Sequence, residues 1–290
     1  MTSKIFGNLF LSVGAMKAGT TWLYVLLDRH PQLYFTLEKE IHYFYHRYVN
    51  SRHLSEERRL TEAKNRYLTR FEPGRANIDR IRGNLHWVAN YLQSPVDDFW
   101  YKNLFSGARD SITYNCDFSN LHAQVPAEAW PQISAQCDKL RVLYTMRDPI
   151  KRLWSHVKFH MQMTGQTEKL DTWGPRDFEK FARSHHIWVN AEYGAVLRRL
   201  HSGLAPEQLK VIFYEDMHAD QRGVLRNIEE FLDLPAHNYP QHVLERRFTE
   251  SISKKMPDFF PGLFAKDIRR IVGEIEDAGY RVPAKWTLPG

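Results

Sequence analysis

The chain has 290 residues, of which 43% are hydrophobic and 26% charged, and its net charge is +6. The hydrophobic share is that of a globular protein, and no segment approaches the roughly 20 consecutive apolar residues that span a bilayer, so we expect no membrane contact. The basic excess suits an anionic ligand but is too diffuse to indicate nucleic acid, and two cysteines without an export signal predict free thiols rather than a disulfide or a metal cluster.

Three apolar runs, each followed by a pattern of helical spacing, predict three strand–helix units. The runs are "LFLSV" (Leu9–Val13), "LRVLYTM" (Leu140–Met146) and "LKVIFYEDM" (Leu209–Met217). Because they are apolar throughout rather than alternating, they favour strands that are covered on both faces of a parallel sheet. The repetition of strand and helix predicts an α/β fold.

A long stretch from about residue 45 to 139 separates the first two units. Its first part is charged and its second part is rich in Trp and Tyr, and no Pro/Gly/Ser linker flanks it. We therefore expect a helical insertion within a single domain that spans residues 1–290. A last helix is predicted from about Lys266 to Asp277.

The segment "GAMKAGTT" (Gly14–Thr21) lies between the first predicted strand and its helix. Ligands of open parallel sheets bind beyond the carboxyl ends of the strands, where the first amides of the helix are unpaired and favour an anion. The two glycines allow a tight turn, and the lysine and threonines supply a charge and hydroxyl donors. The pattern predicts an anion-binding loop; the alternative is an ordinary turn with an exposed lysine.

This loop differs from the nucleoside-triphosphate P-loop, in which lysine follows the second glycine. Here Lys17 precedes Gly19 by two residues. At the end of the second predicted strand, where a magnesium-binding aspartate would be expected, the sequence has Arg147, followed by Asp148 and Pro149. The sequence therefore gives little support to a metal-dependent nucleotidase, and we expect no metal in the reaction.

Four motifs resemble those of sulfotransferases that use 3′-phosphoadenosine 5′-phosphosulfate (PAPS). "VGAMKAGTTWLYVLLDRHP" is similar to their 5′-phosphosulfate loop, and "RDPIKRLWSHVKF" to their 3′-phosphate motif. "EKEIHYF" (Glu38–Phe44) resembles a segment of the heparan-sulfate-type branch, and "YEDM" a strand end of the wider family. The resemblance extends from the N-terminus to about Leu234 and implies a P-loop-like, three-layer fold with a central parallel sheet and helices on both faces.

The resemblance also implies which residues bind PAPS. Lys17 would neutralise the charge that develops on the leaving phosphate, and Arg147 with Ser155 would hold the 3′-phosphate. For Arg152, on the same helix face as Ser155, a solvated charge or a salt bridge to the sheet is the alternative to a role in the site. The implied cofactor-binding residues are Lys17, Ala18, Gly19, Thr20, Thr21, Trp22, Arg147, Ser155, Tyr193, Lys254 and Lys255.

The acceptor hydroxyl must lose a proton, and Glu40 and His42 are the candidates for the base. If their segment is extended, residues two apart point the same way, so both would face the site. The resemblance favours Glu40 as general base, with His42 beside it. The alternatives are a helix-capping or salt-bridged surface carboxylate for Glu40 and a packed histidine for His42.

Two features concern the acceptor. In "NCDFSN" (Asn115–Asn120), where the heparan-type branch has a lysine-threonine-proline element, Asp117 suggests a different acceptor contact. The insertion carries aromatic residues that would form either an acceptor wall or helix packing: Trp87, Tyr91, Trp100 and Tyr101.

The sequence thus predicts a cytoplasmic sulfotransferase that moves a sulfonate from PAPS to a hydroxyl of a carbohydrate or small molecule and releases adenosine 3′,5′-bisphosphate (PAP). The two alternatives are a P-loop-type nucleotide kinase or NTPase and a non-enzymatic polyanion-binding protein. The sequence predicts neither the identity of the acceptor nor the oligomeric state.

Overall fold

The structure is a computed structural model, and it describes residues 4–68, 78–246, 248 and 252–287. The strands of these residues form one parallel five-stranded sheet in the order β2-β3-β1-β4-β5. Their bounds are Phe6–Ser12 (β1), Leu33–Phe35 (β2), Tyr114–Phe118 (β3), Cys137–Met146 (β4) and Leu209–Phe213 (β5). In the parallel pairing of β1 with β3, Leu9 lies opposite Asn115 and Leu11 opposite Asp117.

Helices connect the strands, and their bounds follow in chain order. The first half of the chain carries α1 (Thr20–Leu27), α2 (Tyr43–Tyr48), α3 (Glu56–Ala63), α4 (Ile78–Tyr91), α5 (Asp98–Asn103) and α6 (Ala129–Ala135), with a π-helical turn at Lys64–Leu68 and a 3₁₀ turn at Asn120–Gln124. The second half carries α7 (Pro149–Met163), α8 (Lys169–Thr172), α9 (Pro175–Ala182), α10 (His185–Trp188), α11 (Tyr193–Gly203), a 3₁₀ turn at Pro206–Gln208, α12 (Tyr214–Ala219), α13 (Gln221–Phe231), α14 (Gln241–Leu244), α15 (Phe260–Leu263) and α16 (Ala265–Asp277).

The predicted α/β fold is confirmed, and the three predicted strands are β1, β4 and β5. Side chains on both faces of β1 and β4 are buried. Consecutive residues point to opposite faces, and both members of the pair Phe10 and Leu11 in β1, and of the pair Val142 and Leu143 in β4, are 0% exposed. Burial on both faces explains the uninterrupted apolar runs. The third strand is shorter than predicted, because it ends at Phe213 and the following "YEDM" begins α12.

The described residues of the segment from 45 to 139 form several helices, but they also include β3, which was not predicted from the sequence, and neither was β2. β3 pairs with both β1 and β2 and so lies inside the sheet rather than in an insertion. Its side chains are mixed in polarity, and β2 has only three residues. Neither strand has the uninterrupted apolar run that identified the other three.

The chain divides into two compact units. The first comprises Met1–Val13, Leu27–Val142 and Gly203–Gln208, and the second comprises Gly14–Leu26, Leu143–Ser202 and Leu209–Gly290. The predicted anion-binding loop Gly14–Thr21, called the phosphate loop below, and the "RDP" turn Arg147–Pro149 belong to the second unit, and the "EKEIHYF" segment belongs to the first. A search of the described residues finds no helix with the length and apolar character needed to cross a membrane.

Candidate active site

The phosphate loop of the second unit begins where the end of β4 binds it. The amide of Ala15 donates to the carbonyl of Thr145 at 2.8 Å, and the amide of Thr145 donates to the carbonyl of Gly14 at 2.8 Å. These two bonds extend the sheet by one step beyond β1. The loop therefore starts from the carboxyl edge of the sheet, which is the expected position of a ligand site.

Gly19 ends the loop at a position that only glycine fits. Its φ is +87°, and a Cβ built there would lie 2.8 Å from atoms of both Tyr214 and Met217 in α12. Both the left-handed backbone and the close approach of α12 exclude a side chain. Gly19 leads directly into α1 at Thr20, so the N-terminal amides of this helix border the loop.

Lys17 lies in the middle of the loop with a left-handed backbone, at φ +67°. Its ammonium nitrogen is 4.5 Å from the ring centroid of Phe159 in α7. A cation over an aromatic face is attracted by the ring quadrupole. The contact holds the lysine charge at a defined place beside α7.

Arg147 joins the loop to the turn after β4. Its Nη1 donates to the carbonyl of Lys17 at 3.0 Å, and its guanidinium lies 4.3 Å from the ring centroid of Tyr214. Its Nε is buried and has no hydrogen-bond partner within the described ranges. Because a buried donor without an acceptor is costly, the guanidinium is suited to a ligand that accepts hydrogen bonds.

Helix α7 adds further positive charge near Arg147. Arg152 is fully buried, so the solvated charge considered in the sequence analysis is wrong. Its Nη1 lies 3.3 Å from His156 Nδ1, while its Nε and Nη2 lack partners in the described part of the chain. Burial and the charge of Arg147 lower the pKa of Lys158. Clustered cations of this kind favour a bound anion.

His156 lies in the same cluster of positive charges. Burial, together with the charges of Arg152 and Lys17, lowers its pKa to about 2. The imidazole is therefore neutral at physiological pH and adds no charge of its own.

Of the other predicted cofactor residues, Tyr193 and Trp22 support neighbouring backbone. Tyr193 is fully buried, and its hydroxyl donates to the carbonyl of Arg147 at 2.9 Å. The Trp22 indole donates to the carbonyl of Leu244 at 3.0 Å. Tyr193 thus lies behind Arg147 as a support, and its contact with adenine stays a prediction.

The remaining predicted binders are three buried residues, the half-buried Thr21 at the start of α1, and two lysines. Ala18 is fully buried, Thr20 is 4% exposed and Ser155 is 8% exposed. Lys254 forms an ion pair with Asp171 at 2.6 Å, and Lys255 forms one with Asp258 at 3.2 Å. The two lysines are thus engaged with carboxylates outside the phosphate loop, and their contact with the cofactor stays a prediction.

In the first unit, Glu40 is held by Asn120, just beyond the end of β3. The Asn120 amide donates to Oε2 of Glu40 at 2.8 Å and its side-chain Nδ2 donates to Oε1 at 2.6 Å. Lys39 Nζ lies 2.5 Å from Oε1, and His42 Nε2 lies 3.5 Å from Oε2. The amide of Glu40 donates to the carbonyl of Phe118 at 3.0 Å. The carboxylate is thus fixed on both oxygens.

The segment that contains Glu40 and His42 is not extended, so the condition under which both side chains would point the same way is not met. Both residues have left-handed backbones, with φ of 69° and 61°. They nevertheless come together through their side chains. The amide of His42 donates to Ser119 Oγ at 2.9 Å. Burial, with the charges of Arg58 and Lys39, lowers the pKa of His42 to about 3, so its ring is neutral at physiological pH.

Asp117 is buried beside the Glu40–His42 segment and is hydrogen-bonded within the protein. The acceptor contact suggested for it from the sequence is therefore wrong. Asp117 is 2% exposed, and it accepts hydrogen bonds from Ser119 Oγ at 2.6 Å and Tyr101 Oη at 3.0 Å. Burial raises the pKa of Asp117 to about 7. Ser119 therefore links the buried carboxyl to the backbone of His42.

The Trp- and Tyr-rich helices pack in the core of the first unit. Trp87 stacks on Tyr91 at 5.0 Å between ring centroids, and the Trp100 indole donates to the Tyr91 carbonyl at 3.1 Å. All four aromatic residues considered for an acceptor wall are at most 9% exposed. Helix packing is thus the alternative that the structure confirms.

The three predicted catalytic residues share an unusual backbone. Among the described residues, positive φ at a non-glycine position occurs at Lys17, Glu40, His42 and Asp233. Such conformations are sparsely populated and occur preferentially at functional sites. Ser119 and Asn120, which bind the backbone of His42 and the carboxylate of Glu40, were not predicted from the sequence, because these partners lie 77 and 80 positions away. Lys158 was not predicted either, although it lies within the quoted 3′-phosphate motif.

A parallel sheet whose first strand leads through this loop into a helix defines a P-loop-like α/β protein. A sequence model described as "Sulfotransferase family" matches residues 10–238, and the chain belongs to the sulfotransferase family. The reaction class is therefore the transfer of a sulfonate group. A comparison with curated protein sequences gave no match.

Solved structures of sulfotransferases share the fold. The sulfotransferase from Alicyclobacillus acidocaldarius is 20% identical with a TM-score of 0.62, and the alignment covers 96% of this chain and 97% of that one. The sulfotransferase domain of the Synechococcus PCC 7002 olefin synthase is 16% identical with a TM-score of 0.55, over 98% of both chains. The sulfotransferase domain from the curacin biosynthetic pathway is 18% identical with a TM-score of 0.51, over 97% of this chain and all of that one.

Proposed function

We propose that the protein transfers a sulfonate from PAPS to a hydroxyl group of a carbohydrate or small-molecule acceptor. The observation that carries the proposal is the hydrogen bond from Arg147 to the Lys17 carbonyl. It joins two predicted anion-binding elements that are 130 residues apart in sequence. PAPS carries two anionic groups on one ribose, so a ligand of this kind requires two such elements.

Each element would hold one end of the cofactor. The loop amides, Thr20 and Thr21 would bind the 5′-phosphosulfate at the N-terminus of α1. Arg147, with a buried Nε that lacks an acceptor, and Ser155 would bind the 3′-phosphate. The positive charges of Arg152 and Lys158 would strengthen the attraction for this dianion.

The chemical step would exchange one bond to sulfur for another. When bound, PAPS supplies the sulfonate and a phosphate leaving group. The acceptor oxygen would form a bond to sulfur as the bond to the bridging oxygen breaks, and Lys17 would stabilise the charge that develops there. Glu40 would take the proton of the acceptor hydroxyl, and Asn120 would keep its carboxylate in place. A neutral His42 would position Glu40.

The family match favours this reaction over both alternatives, an NTPase and a non-enzymatic polyanion-binding protein. In the described ranges, no group of three or more His, Cys, Asp or Glu side chains is placed to hold a metal ion. A metal-independent reaction and a cytoplasmic location stay predictions. Transfer that persists in EDTA would support the first of these.

The cofactor assignment is tested by comparing PAP with AMP, which lacks the 3′-phosphate. A ligand that binds only the folded state stabilises it by RT ln(1 + [L]/Kd), which amounts to about 2.7 kcal/mol at 100-fold excess over Kd. We expect PAP to raise the melting temperature clearly more than AMP does. Arg147→Ala should abolish the difference, whereas Arg198→Ala, which removes an exposed arginine of α11, should retain it.

Activity is tested with PAPS labelled in its sulfur and a panel of hydroxylated compounds. Transfer of label to an acceptor, with release of PAP, is the expected result. Equal stabilisation of the wild-type protein by PAP and AMP would remove the case for Arg147 and Ser155 as the 3′-phosphate site. Hydrolysis of ATP with magnesium in place of sulfonate transfer would favour the NTPase.

A further inference from the structure

The turn that carries Arg147 and Asp148 is held from outside its own strand and helix. The hydroxyl of Tyr193 in α11 donates to the Arg147 carbonyl at 2.9 Å, and Oε1 of Glu215 in α12 accepts the amide of Asp148 at 3.0 Å. The backbone on either side of the Arg147 side chain is therefore fixed by residues distant in sequence. Neither residue need contact the cofactor to affect where the guanidinium lies.

The segment Pro283–Thr287 reaches both of these supports through Trp286. The Trp286 indole donates to Oε2 of Glu215 at 2.9 Å, and its ring centroid lies 6.4 Å from that of Tyr193. The indole is 5% exposed and also packs edge-on against Phe213 at 5.6 Å. One carboxylate thus joins the Trp286 indole to the amide of Asp148.

The next residue of this segment binds the turn directly. The amide of Thr287 donates to Oδ2 of Asp148 at 2.8 Å. The other oxygen of this carboxylate accepts the amides of Ile150 and Lys151 and so caps α7. Asp148 therefore bridges the start of α7 and residue 287, and it is fully buried while doing so.

We infer that Trp286 and Thr287 are positioning residues for Arg147. By way of Glu215 and Asp148, they hold the turn in the shape that aims the guanidinium at the 3′-phosphate. The inference rests on the proposed function, because it takes this phosphate as the ligand of Arg147. It concerns binding of the 3′-phosphate, the group that distinguishes PAP from AMP.

Trp286→Phe tests the inference, since it removes the indole N–H and keeps an aromatic ring in the pocket. The lost bond has a charged acceptor, so we expect the Kd for PAP to rise about five- to ten-fold. The Kd for AMP should change less than about two-fold, because AMP lacks the group that Arg147 binds. A matched control is Trp188→Phe, which removes an indole donated to Glu192 at 2.6 Å.

A second pair of variants tests the Thr287 amide. Thr287→Pro removes this donor, whereas Thr287→Ala retains it. We expect the proline variant to lose affinity for PAP selectively and the alanine variant to behave as wild type. Calorimetric titration of both nucleotides into each purified variant gives the ratio of Kd values, which a loss of overall stability alone would not move.

The possible outcomes separate this inference from the proposal beneath it. Equal weakening of PAP and AMP binding in the Trp286→Phe and Thr287→Pro variants, or no weakening in either, overturns the positioning role. If the wild-type protein itself binds PAP no better than AMP, the 3′-phosphate site fails, and the inference fails with it. That last result is obtained before any variant is made.

Discussion

At the scale of single residues, Lys17 combines a left-handed backbone with a charge fixed over Phe159. Charge develops on the leaving oxygen only as the bond to sulfur breaks. Lys17 should therefore stabilise the transition state more than it stabilises bound PAPS in the ground state. We expect Lys17→Ala to lower kcat by on the order of 10²-fold or more, comparable to the loss of an oxyanion donor. Steady-state kinetics with PAP affinity measured in parallel check this.

Two variants control the Lys17 experiment. Lys17→Arg keeps the charge and should retain more activity than the alanine variant, while Lys180→Ala removes an exposed lysine of α9 and should have no effect. An alanine variant with near-native kcat and only a higher KM for PAPS would show that Lys17 binds the ground state alone.

Glu40 is also tested at this scale. Glu40→Gln keeps the size of the side chain but cannot accept the proton, and its new NH₂ group would face one of the two donors of Asn120. We expect kcat to fall by roughly 10²–10⁴-fold with PAP binding intact. Glu38→Gln, which changes a neighbouring carboxylate paired with Arg66, is the control. The measurement is single-turnover transfer to any acceptor found in the screen.

His42→Asn should cost less than Glu40→Gln, because burial and nearby cations lower the pKa of His42 to about 3 and make it a weak base. A larger loss in the histidine variant, with an acidic limb of the rate profile near pH 6–7, would instead identify His42 as the base. If neither change affects turnover, the "EKEIHYF" segment does not contact the acceptor.

At the scale of elements, the sequence predicted what depends on local pattern. β1, β4 and β5 have uninterrupted apolar runs, and α7 begins with Asp148 and Pro149, a capping residue followed by the residue favoured in the first turn. β3 was not predicted from the sequence, because the polar Asp117 interrupts its apolar pattern. That side chain is tolerated in the sheet only because Tyr101, on α5, and Ser119 satisfy it.

The residues of the candidate site likewise fall into those that a local sequence pattern predicts and those that it does not. The phosphate loop and the "RDP" turn were recognisable because their functional residues are close together in sequence. Asn120 and Trp286 could not be found by pattern, since each acts on a residue at least 71 positions away, and an isolated asparagine or tryptophan carries no local signal. The left-handed backbone of Glu40 and His42 could not be predicted either, because hydrogen bonds to Phe118 and Ser119 at the end of β3 fix it.

At the scale of the whole molecule, buried histidines should make folding sensitive to acid. Burial lowers the pKa of His42 and of His53 to about 3 and of His156 to about 2, and it holds that of His122 well below 6.5. Below pH 6.5 the unfolded chain binds protons at these positions and the folded protein does not. The free energy of unfolding therefore falls as the pH is lowered, by up to about 1.4 kcal/mol per pH unit for each histidine.

Asp117 acts in the opposite direction. Its pKa is raised from 3.8 to about 7, so between these values the folded protein binds the proton and the unfolded chain does not. The contribution of Asp117 to the free energy of unfolding therefore rises as the pH falls, and it offsets the contribution of one histidine. Four histidines against one carboxyl leave a net loss on the order of 4 kcal/mol per pH unit below pH 6. Typical domains are stable by only about 5–15 kcal/mol, so this slope is large.

Urea unfolding at a series of pH values between 7 and 5 measures that slope directly. We expect the midpoint to fall steadily with pH. His122→Phe should reduce the slope by about one histidine's share, roughly 1.4 kcal/mol per pH unit, whatever it does to stability at pH 7. His242→Gln, which replaces an exposed histidine at α14, should leave the slope unchanged. A midpoint that rises as the pH is lowered would mean that Asp117 outweighs the histidines, and an unchanged slope in His122→Phe would mean that His122 already carries a proton in the folded protein.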